Sequence, residues 1–457
     1  MPETPLAVQE RATVWSAERA GDGRSARKVV PRRALADWNP VGRGHDALAT
    51  ILSQNEFRAP DLIPIRHGRM AASPWTYFRG AAAVMAADLA STPNTGITVQ
   101  LCGDAHVLNF GLWKTPERNL SFDLRDFDET LPGPFEWDVK RLVASLVVLA
   151  RDHGVSEKVA RRSVRAAVGG YADAMRKYAT VPEIDIWYDR VDVDELIGQL
   201  APYDADEIGG QIDSQARKRT SRGASKKLTT LVDGRRRIIE DPPFRTHILG
   251  DDDVDPDLID ATYRNSVPDH IWSLLSRFDL ADAVRQVVGV GSVGVLVYLV
   301  LLEERRTGDP LFLQMKQAGP SVYEKFLGAS HYPHHGQRVI NGQRMIQSAT
   351  DTFVGWTTNV GKDFYVRQFR DGKVIPKGET IANRLARFAG ACGRVLARAH
   401  ARSGDAAAIA DYLGTSASVE NAFIAFAFAY GEQNQRDHAQ LAGAVADGSI
   451  PGAVGWG

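Results

Sequence analysis

The segment Leu101-Cys-Gly-Asp-Ala-His-Val-Leu-Asn109 sets an aspartate and an asparagine five positions apart after an apolar run. Asp104 can orient or deprotonate a hydroxyl, and the Asn109 side-chain carbonyl can ligate a hard cation. His106, between them, can take part in the chemistry or order the loop. A further carboxylate comes from Phe122-Asp-Leu-Arg-Asp-Phe-Asp-Glu129, as Asp123, Asp126 or Asp128. Any of the three can complete a Mg²⁺ site with Asn109. Phosphoryl transfer needs this set: positioning, a base and metal charge. Taken singly, each residue can equally cap a turn or face solvent.

A second cluster is Gly289-x-Gly291-Ser292-x-Gly294. A dinucleotide-binding fold, and with it an oxidoreductase, requires a helix directly after such glycines. Val295-Leu-Val-Tyr-Leu-Val300 favours a strand instead. The expectation is a glycine-rich β-hairpin over nucleotide phosphates, as kinase-like folds use, with a lysine on a later strand. Lys316, closing Leu311-Phe-Leu-Gln-Met-Lys316, is that lysine, and Glu324 in Ser321-Val-Tyr-Glu-Lys325 is its nearest acidic partner. The plain alternative is a hairpin with an exposed lysine.

Gly133-Pro-Phe-Glu-Trp-Asp138 opens a helix, with proline and carboxylates at the start. Asp138 is expected to brace the Asp104 loop from below by accepting backbone hydrogen bonds. His331, His334 and His335 crowd one loop without a carboxylate or cysteine set and read as polar loop residues. His400 ends a helix. Arg66, Arg69 and Arg79 can bind phosphate, or pair only with the acidic strand residues.

The elements that position these groups follow from patterning. Strands are expected at 97–101, 120–124, 311–316 and 364–369, and helices at 136–151, 155–180, 378–401 and 418–445. The chain has 457 residues, is 44% hydrophobic and 24% charged, and carries a net charge of -1. That balance gives no general reason to expect nucleic acid or a membrane as partner. The basic stretch over 214–240 lacks interleaved aromatics and reads as a solvated face. Two cysteines, Cys102 and Cys392, make neither a disulfide framework nor a four-thiolate zinc site. A cytoplasmic protein is expected. The predicted organisation is a flexible tail over 1–45, a larger lobe over 46–280, a smaller β-rich lobe over 281–376, and C-terminal helices over 377–457 that complete the larger lobe.

Gly103-Asp-Ala-His-Val-Leu-Asn109 followed by Asp126-Phe-Asp resembles the catalytic and metal-binding loops of aminoglycoside and choline kinases. From about Arg58 to Tyr430 the chain resembles more closely a bacterial family of uncharacterised proteins, the domain of unknown function numbered 2252. Arg69-Met-Ala-Ala-Ser-Pro, Cys102-Gly-Asp-Ala-His, Asp126-Phe-Asp-Glu-Thr, Gly336-Gln-Arg-Val and Ala397-Arg-Ala-His-Ala-Arg-Ser-Gly-Asp carry that likeness. The resemblance implies an α+β, protein-kinase-like two-lobe fold. It also implies a catalytic role for Asp104, Mg²⁺ ligation by Asn109 and Asp126, and phosphate binding by Lys316. In kinases the glycine loop precedes the catalytic loop, whereas here it follows, so a circularly permuted arrangement is expected. The expected activity is ATP- and Mg²⁺-dependent phosphoryl transfer to a small-molecule hydroxyl. Nucleotide binding without turnover, and nucleotidyl transfer, are the alternatives.

Overall fold

The computed structural model describes residues 23–193, 212, 214, 218, 220–248, 261–287, 289, 291–369, 374, 378–382 and 384–453. Residues 1–22 of the expected tail, Val288 and Val290 beside the glycines, and Arg217 and Arg219 of the basic stretch lie outside them.

Helix and sheet are mixed, as expected of an α+β chain. Two small antiparallel sheets carry the acidic loops. Strand β1 (Thr98–Leu101) is followed by β2 (Phe110–Lys114), β3 (Leu120–Leu124) and β4 (Leu131–Pro134). β1 pairs with β4 and β2 with β3, and the short β5 (Val191–Asp192) adds to β3. After the hairpin of β6 (Thr229–Val232) and β7 (Arg235–Ile238) come six strands of one larger sheet. These are β8 (Arg245–His247), β9 (Phe278–Gln286), β10 (Val297–Glu304), β11 (Pro310–Gln317), β12 (Gly355–Asn359) and β13 (Lys362–Gln368). Their order is β12-β13-β11-β10-β9-β8, antiparallel throughout.

The unbroken apolar run of β10 is explained by burial on both faces. Tyr298, Val300 and Leu302 join one core with Tyr263, Val267 and Ile271, whereas Leu299 and Leu301 join another with Ala224, Leu228 and Ile238. Successive strand residues point to opposite faces, so a strand covered twice loses its polar alternation.

The main helices are α1 (Ile63–Ala71), α2 (Pro74–Gly80), α3 (Phe135–Asp152), α4 (Glu157–Tyr178), α5 (Ser221–Leu228), α6 (His335–Ile346), α7 (Leu385–Ala401) and α8 (Ser418–Ala446). Ser73 and Thr76 form a capping box that starts α2, with Pro74 in its first turn. Glu136 and Asp138 lie in the first turn of α3 and Arg151 in its last, the charge order the helix dipole favours. α4 and α7 meet at small residues. A Cβ on Gly170 would overlap the Gly390 carbonyl, and one on Gly393 the Ala167 carbonyl, so glycine lets the two backbones touch. α3, α4, α7 and α8 share the largest apolar core with the two small sheets. Among the described residues no helix is long and apolar enough to cross a membrane.

Two expected boundaries need correction. Residues 23–45, assigned to the flexible tail, carry a helix and a 3-10 turn, Leu35 is buried, and Arg43 pairs with both Asp88 and Asp437. The division expected at residue 280 lies earlier. Ala224, Leu228, Ile238, Tyr263 and Ile271 all pack on the six-stranded sheet, so the described residues between 220 and 280 belong with it. The basic stretch hid this, because its few apolar residues are spread over a short helix and a hairpin.

Candidate active site

The loop after β1 is held from underneath. Asp138, fully buried at the start of α3, accepts from the Cys102 and Gly103 amides at 2.8 and 3.1 Å. His400, at the end of α7, brings Nε2 to 3.3 Å from the same carboxylate and Nδ1 to 2.8 Å from the Tyr171 hydroxyl. His400 therefore anchors the brace, a role its place at a helix end did not suggest. Gly103 has φ +87°, and a Cβ there would overlap the Glu129 carbonyl. Only glycine fits both requirements. Tyr323 donates its hydroxyl to the Gly103 carbonyl at 2.6 Å, and the Val107 amide donates to Ser145 Oγ at 2.9 Å.

This loop presents Asp104, whose side chain is 17% exposed. Its Oδ1 accepts from Arg141 Nε at 2.8 Å. Burial pushes the Asp104 carboxyl up, and Arg141 opposes that rise. Arg141 also donates to the Phe78 carbonyl at 2.7 Å and lies over the Phe78 ring. Asn109 donates Nδ2 to the Asp104 carbonyl at 2.6 Å, which fixes its side chain beside the aspartate. His106 is buried, with Nε2 3.8 Å from Asp104 Oδ2 and its ring edge-on to Trp75. Burial, together with Arg79, Arg141 and Arg125, holds its imidazole well below the usual range. His106 Nδ1 is buried without a hydrogen-bond partner.

The three carboxylates after β3 separate by partner. Asp123 is fully buried, pairs with Arg398 at 2.5 Å and accepts from the Ser348 amide and hydroxyl at 2.8 and 2.6 Å. It is a structural ion pair. Asp128 accepts from Lys316 Nζ and, at 2.7 Å, from the Tyr365 hydroxyl. Burial alone would raise the Asp128 carboxyl, but Lys316 and Tyr365 overcome it and hold it low. Asp126 receives only a long hydrogen bond, 3.4 Å, from the Asp128 amide, and makes no ion pair among the described residues.

The glycine residues lie between antiparallel β9 and β10, and a strand rather than a helix follows them. Gly289 and Gly294 have φ of +66° and +89°. The loop carbonyls are fastened from below: Arg69 donates to Gly289 at 2.6 Å, Arg58 to Gly291 at 2.9 Å and to Val293, and the Ala59 amide to Gly294 at 2.8 Å. The Ser292 carbonyl accepts from the Val295 amide at 3.2 Å.

Lys316 lies on β11, opposite Tyr365 of β13, and is only 3% exposed. Burial would lower its ammonium, and Asp128 raises it instead. Its expected partner needs correction. Glu324 accepts from the Ser321 amide at 3.0 Å and faces Arg338 at 3.6 Å, while Asp128 takes Lys316. Glu324 opens a four-residue helix and its carboxylate reaches back to the Ser321 amide, so sequence proximity to Lys316 was misleading. Glu129 accepts from the Val322 amide at 2.7 Å, and burial pushes its carboxyl up to about 7.

As metal donors, Asn109 Oδ1 and the Asp126 carboxylate are two hard oxygens that no ion pair occupies among the described residues. No group of three or more His, Cys, Asp or Glu there is placed to enclose a metal. Two such oxygens are the kind of donor Mg²⁺ takes alongside water and phosphate oxygens. His334 caps α6, accepting from the Gln337 amide, so the histidine loop is structural in that respect. Sequence reasoning missed Arg141. The available signal was its position three residues after Asp138, on the same helix face.

No curated protein and no solved structure gave a significant match. One family model does match, that described as "Uncharacterized protein conserved in bacteria", over residues 58–444. The chain belongs to this bacterial family, the domain of unknown function 2252.

Proposed function

We propose that the chain is an ATP- and Mg²⁺-dependent phosphotransferase of circularly permuted, protein-kinase-like organisation. Its acceptor is a small-molecule hydroxyl. The observation that carries this reading is the Lys316–Asp128 ion pair. It joins the sheet bearing the glycine hairpin to the Asp-Phe-Asp segment next to Asp104 and Asn109. A nucleotide whose phosphates reach from that hairpin toward Asp126 would cross Lys316.

Chain connectivity supports the permutation. The Gln100 amide on β1 donates to Ser403 Oγ at 3.0 Å, just beyond the end of α7, and Gly404 packs on Val99. The helix that would lead into the catalytic strand in an unpermuted kinase thus ends against that strand. The intervening elements run as glycine hairpin, lysine strand, α6 and two further strands.

In the proposed reaction Asp104 orients the acceptor hydroxyl and receives its proton. The oxygen forms a bond to the terminal phosphorus as the bridging P–O bond breaks and ADP leaves with that electron pair. Arg141 positions Asp104, and Asp138 with His400 hold the loop beneath it. Lys316 neutralises phosphate charge, and Asn109 with Asp126 would hold Mg²⁺. The cation, when bound, supplies charge stabilisation to the transferring phosphoryl group.

The test is turnover of γ-labelled ATP against a panel of sugar, amino-alcohol and aminoglycoside acceptors, with Asp104→Asn as control. Acceptor-dependent label transfer, lost in Asp104→Asn, supports the reading. ATP binding without transfer to any acceptor favours the non-catalytic alternative. Release of pyrophosphate in place of ADP identifies nucleotidyl transfer.

A further inference from the structure

Five arginines near the cleft have their guanidinium groups occupied by protein. Arg58 holds the glycine-loop carbonyls, and Arg66 bonds Gln54 and the Gly80 carbonyl. Arg69 bonds the Gly289 carbonyl, Arg141 bonds Asp104, and Arg338 bonds the Thr130, Asp128 and Gly319 carbonyls. Arg79 differs. Arg58, Arg66 and Arg338 also leave a buried Nε without a partner, but each bonds protein through its terminal nitrogens, whereas the Arg79 guanidinium makes no hydrogen bond or ion pair among the described residues.

Its setting is specific. Arg79 lies in the last turn of α2, where Arg66 grips the next carbonyl. Its own carbonyl lies 3.2 Å from where a Cβ of Gly291 would stand, directly against the glycine loop. Its guanidinium is within the fields of Asp104 and Asp126, the base and the metal carboxylate proposed above. Burial lowers the guanidinium, and those two carboxylates only partly offset it. Arg79 is half-buried, and with no protein anion on it the guanidinium is left to an anion from outside the chain. A planar donor set of this kind matches a phosphate oxyanion.

We propose that Arg79 is the arginine that binds the phosphate of the cleft, taking non-bridging oxygens of the terminal phosphate of ATP between the glycine loop and Asp126. This rests on the phosphotransferase reading for the identity of the ligand. The anion site itself rests on the unpartnered guanidinium. Arg79 would then be a binding and charge-stabilising residue supplied by a helix that lies N-terminal to both motifs in sequence.

The experiment is calorimetric titration of the full chain with MgATP, MgADP and magnesium pyrophosphate, on wild type, Arg79→Gln and Arg79→Lys. Wild type is expected to prefer ATP over ADP by about tenfold, the size of one charge-assisted contact. Arg79→Gln should bind ADP nearly as wild type does and lose that preference, with Arg79→Lys intermediate. A folded Arg79→Gln that keeps the full preference overturns the proposal. Should the Gln variant not fold, the Lys variant decides by the same ratio: reduced supports, unchanged overturns. If wild type binds pyrophosphate but neither nucleotide, and Arg79→Gln loses pyrophosphate, the anion site stands and the phosphotransferase reading falls. If wild type binds none of the three, both fall.

Discussion

Lys316 of the six-stranded sheet, which is buried, and Asp128 of the Asp-Phe-Asp segment, which is half-buried, form an ion pair with the Tyr365 hydroxyl on the same carboxylate. The pair joins the two halves of the cleft, and its members are 188 residues apart in sequence. Removing Asp128 leaves the Lys316 ammonium desolvated, and removing Lys316 leaves the half-buried Asp128 carboxylate without its cation. Lys316→Met is expected to cost about 3 kcal/mol of unfolding free energy in urea titrations, and adding Asp128→Asn to restore part of that loss. A double variant no more stable than Lys316→Met would show that the charge pair is not what holds the halves together.

Asp123 and Arg398 make a second pair, at 2.5 Å, with both residues wholly inaccessible. Asp123 was one of three candidates for the metal carboxylate, and its partners assign it to structure. Arg398→Met should destabilise by about 4 kcal/mol. Asp123→Asn, if it folds, should leave metal-dependent nucleotide binding intact. Loss of that binding in a folded Asp123→Asn would return Asp123 to the metal site.

Glu129 gives the pH dependence. Its carboxyl is raised from 4.5 to about 7 by burial, so the folded chain holds that proton more tightly than the unfolded one. The stability from this group is full below the unfolded value and is lost as pH rises through the folded value. Asp128 runs the other way: its lowered carboxyl contributes above 3.8, and that contribution is lost as pH falls through the folded value. Glu129→Gln should therefore gain on wild type between pH 5 and pH 8, read as urea midpoints at both. A constant difference across that window would show that Glu129 does not retain its proton.

Gly103 and Gly393 test backbone approach at two scales. Gly103→Ala forces a side chain into φ +87° and onto the Glu129 carbonyl, and should cost about 2 kcal/mol or more together with order in the Asp104 loop. Gly393→Val pushes α7 off α4 at the Ala167 carbonyl and should cost about 2 to 3 kcal/mol by overpacking. Thermal melts that match wild type for either variant would contradict the close contact described.

The sequence made legible what is local. The β-branched residues after Gly294 predicted a strand, and β10 is one. A carboxylate in the first turn of α3 predicted the brace that Asp138 makes on Cys102 and Gly103. What escaped the sequence was decided by register and by contacts distant along the chain. Lys316 meets Asp128 because β11 lies beside β13, which sets Tyr365 next to it, and nothing within ten residues of Lys316 encodes that. Arg141 finds Asp104 across 37 positions. The half formed by the six-stranded sheet was placed too late in the chain because residues 220–240 show too little apolar periodicity to reveal that Ala224, Leu228 and Ile238 are buried.

The central claim is that Asp126 and Asn109, beside Asp104, form a Mg²⁺-nucleotide site under the glycine loop. It is tested most directly by a thermal-shift titration of ATP with and without Mg²⁺ on wild type and Asp126→Ala. A ligand that binds only the folded chain raises its apparent stability by mass action. The account predicts an upward, Mg²⁺-dependent shift in wild type that disappears in a folded Asp126→Ala. Absence of a shift in wild type at millimolar ATP, or an equal shift in Asp126→Ala, would contradict it.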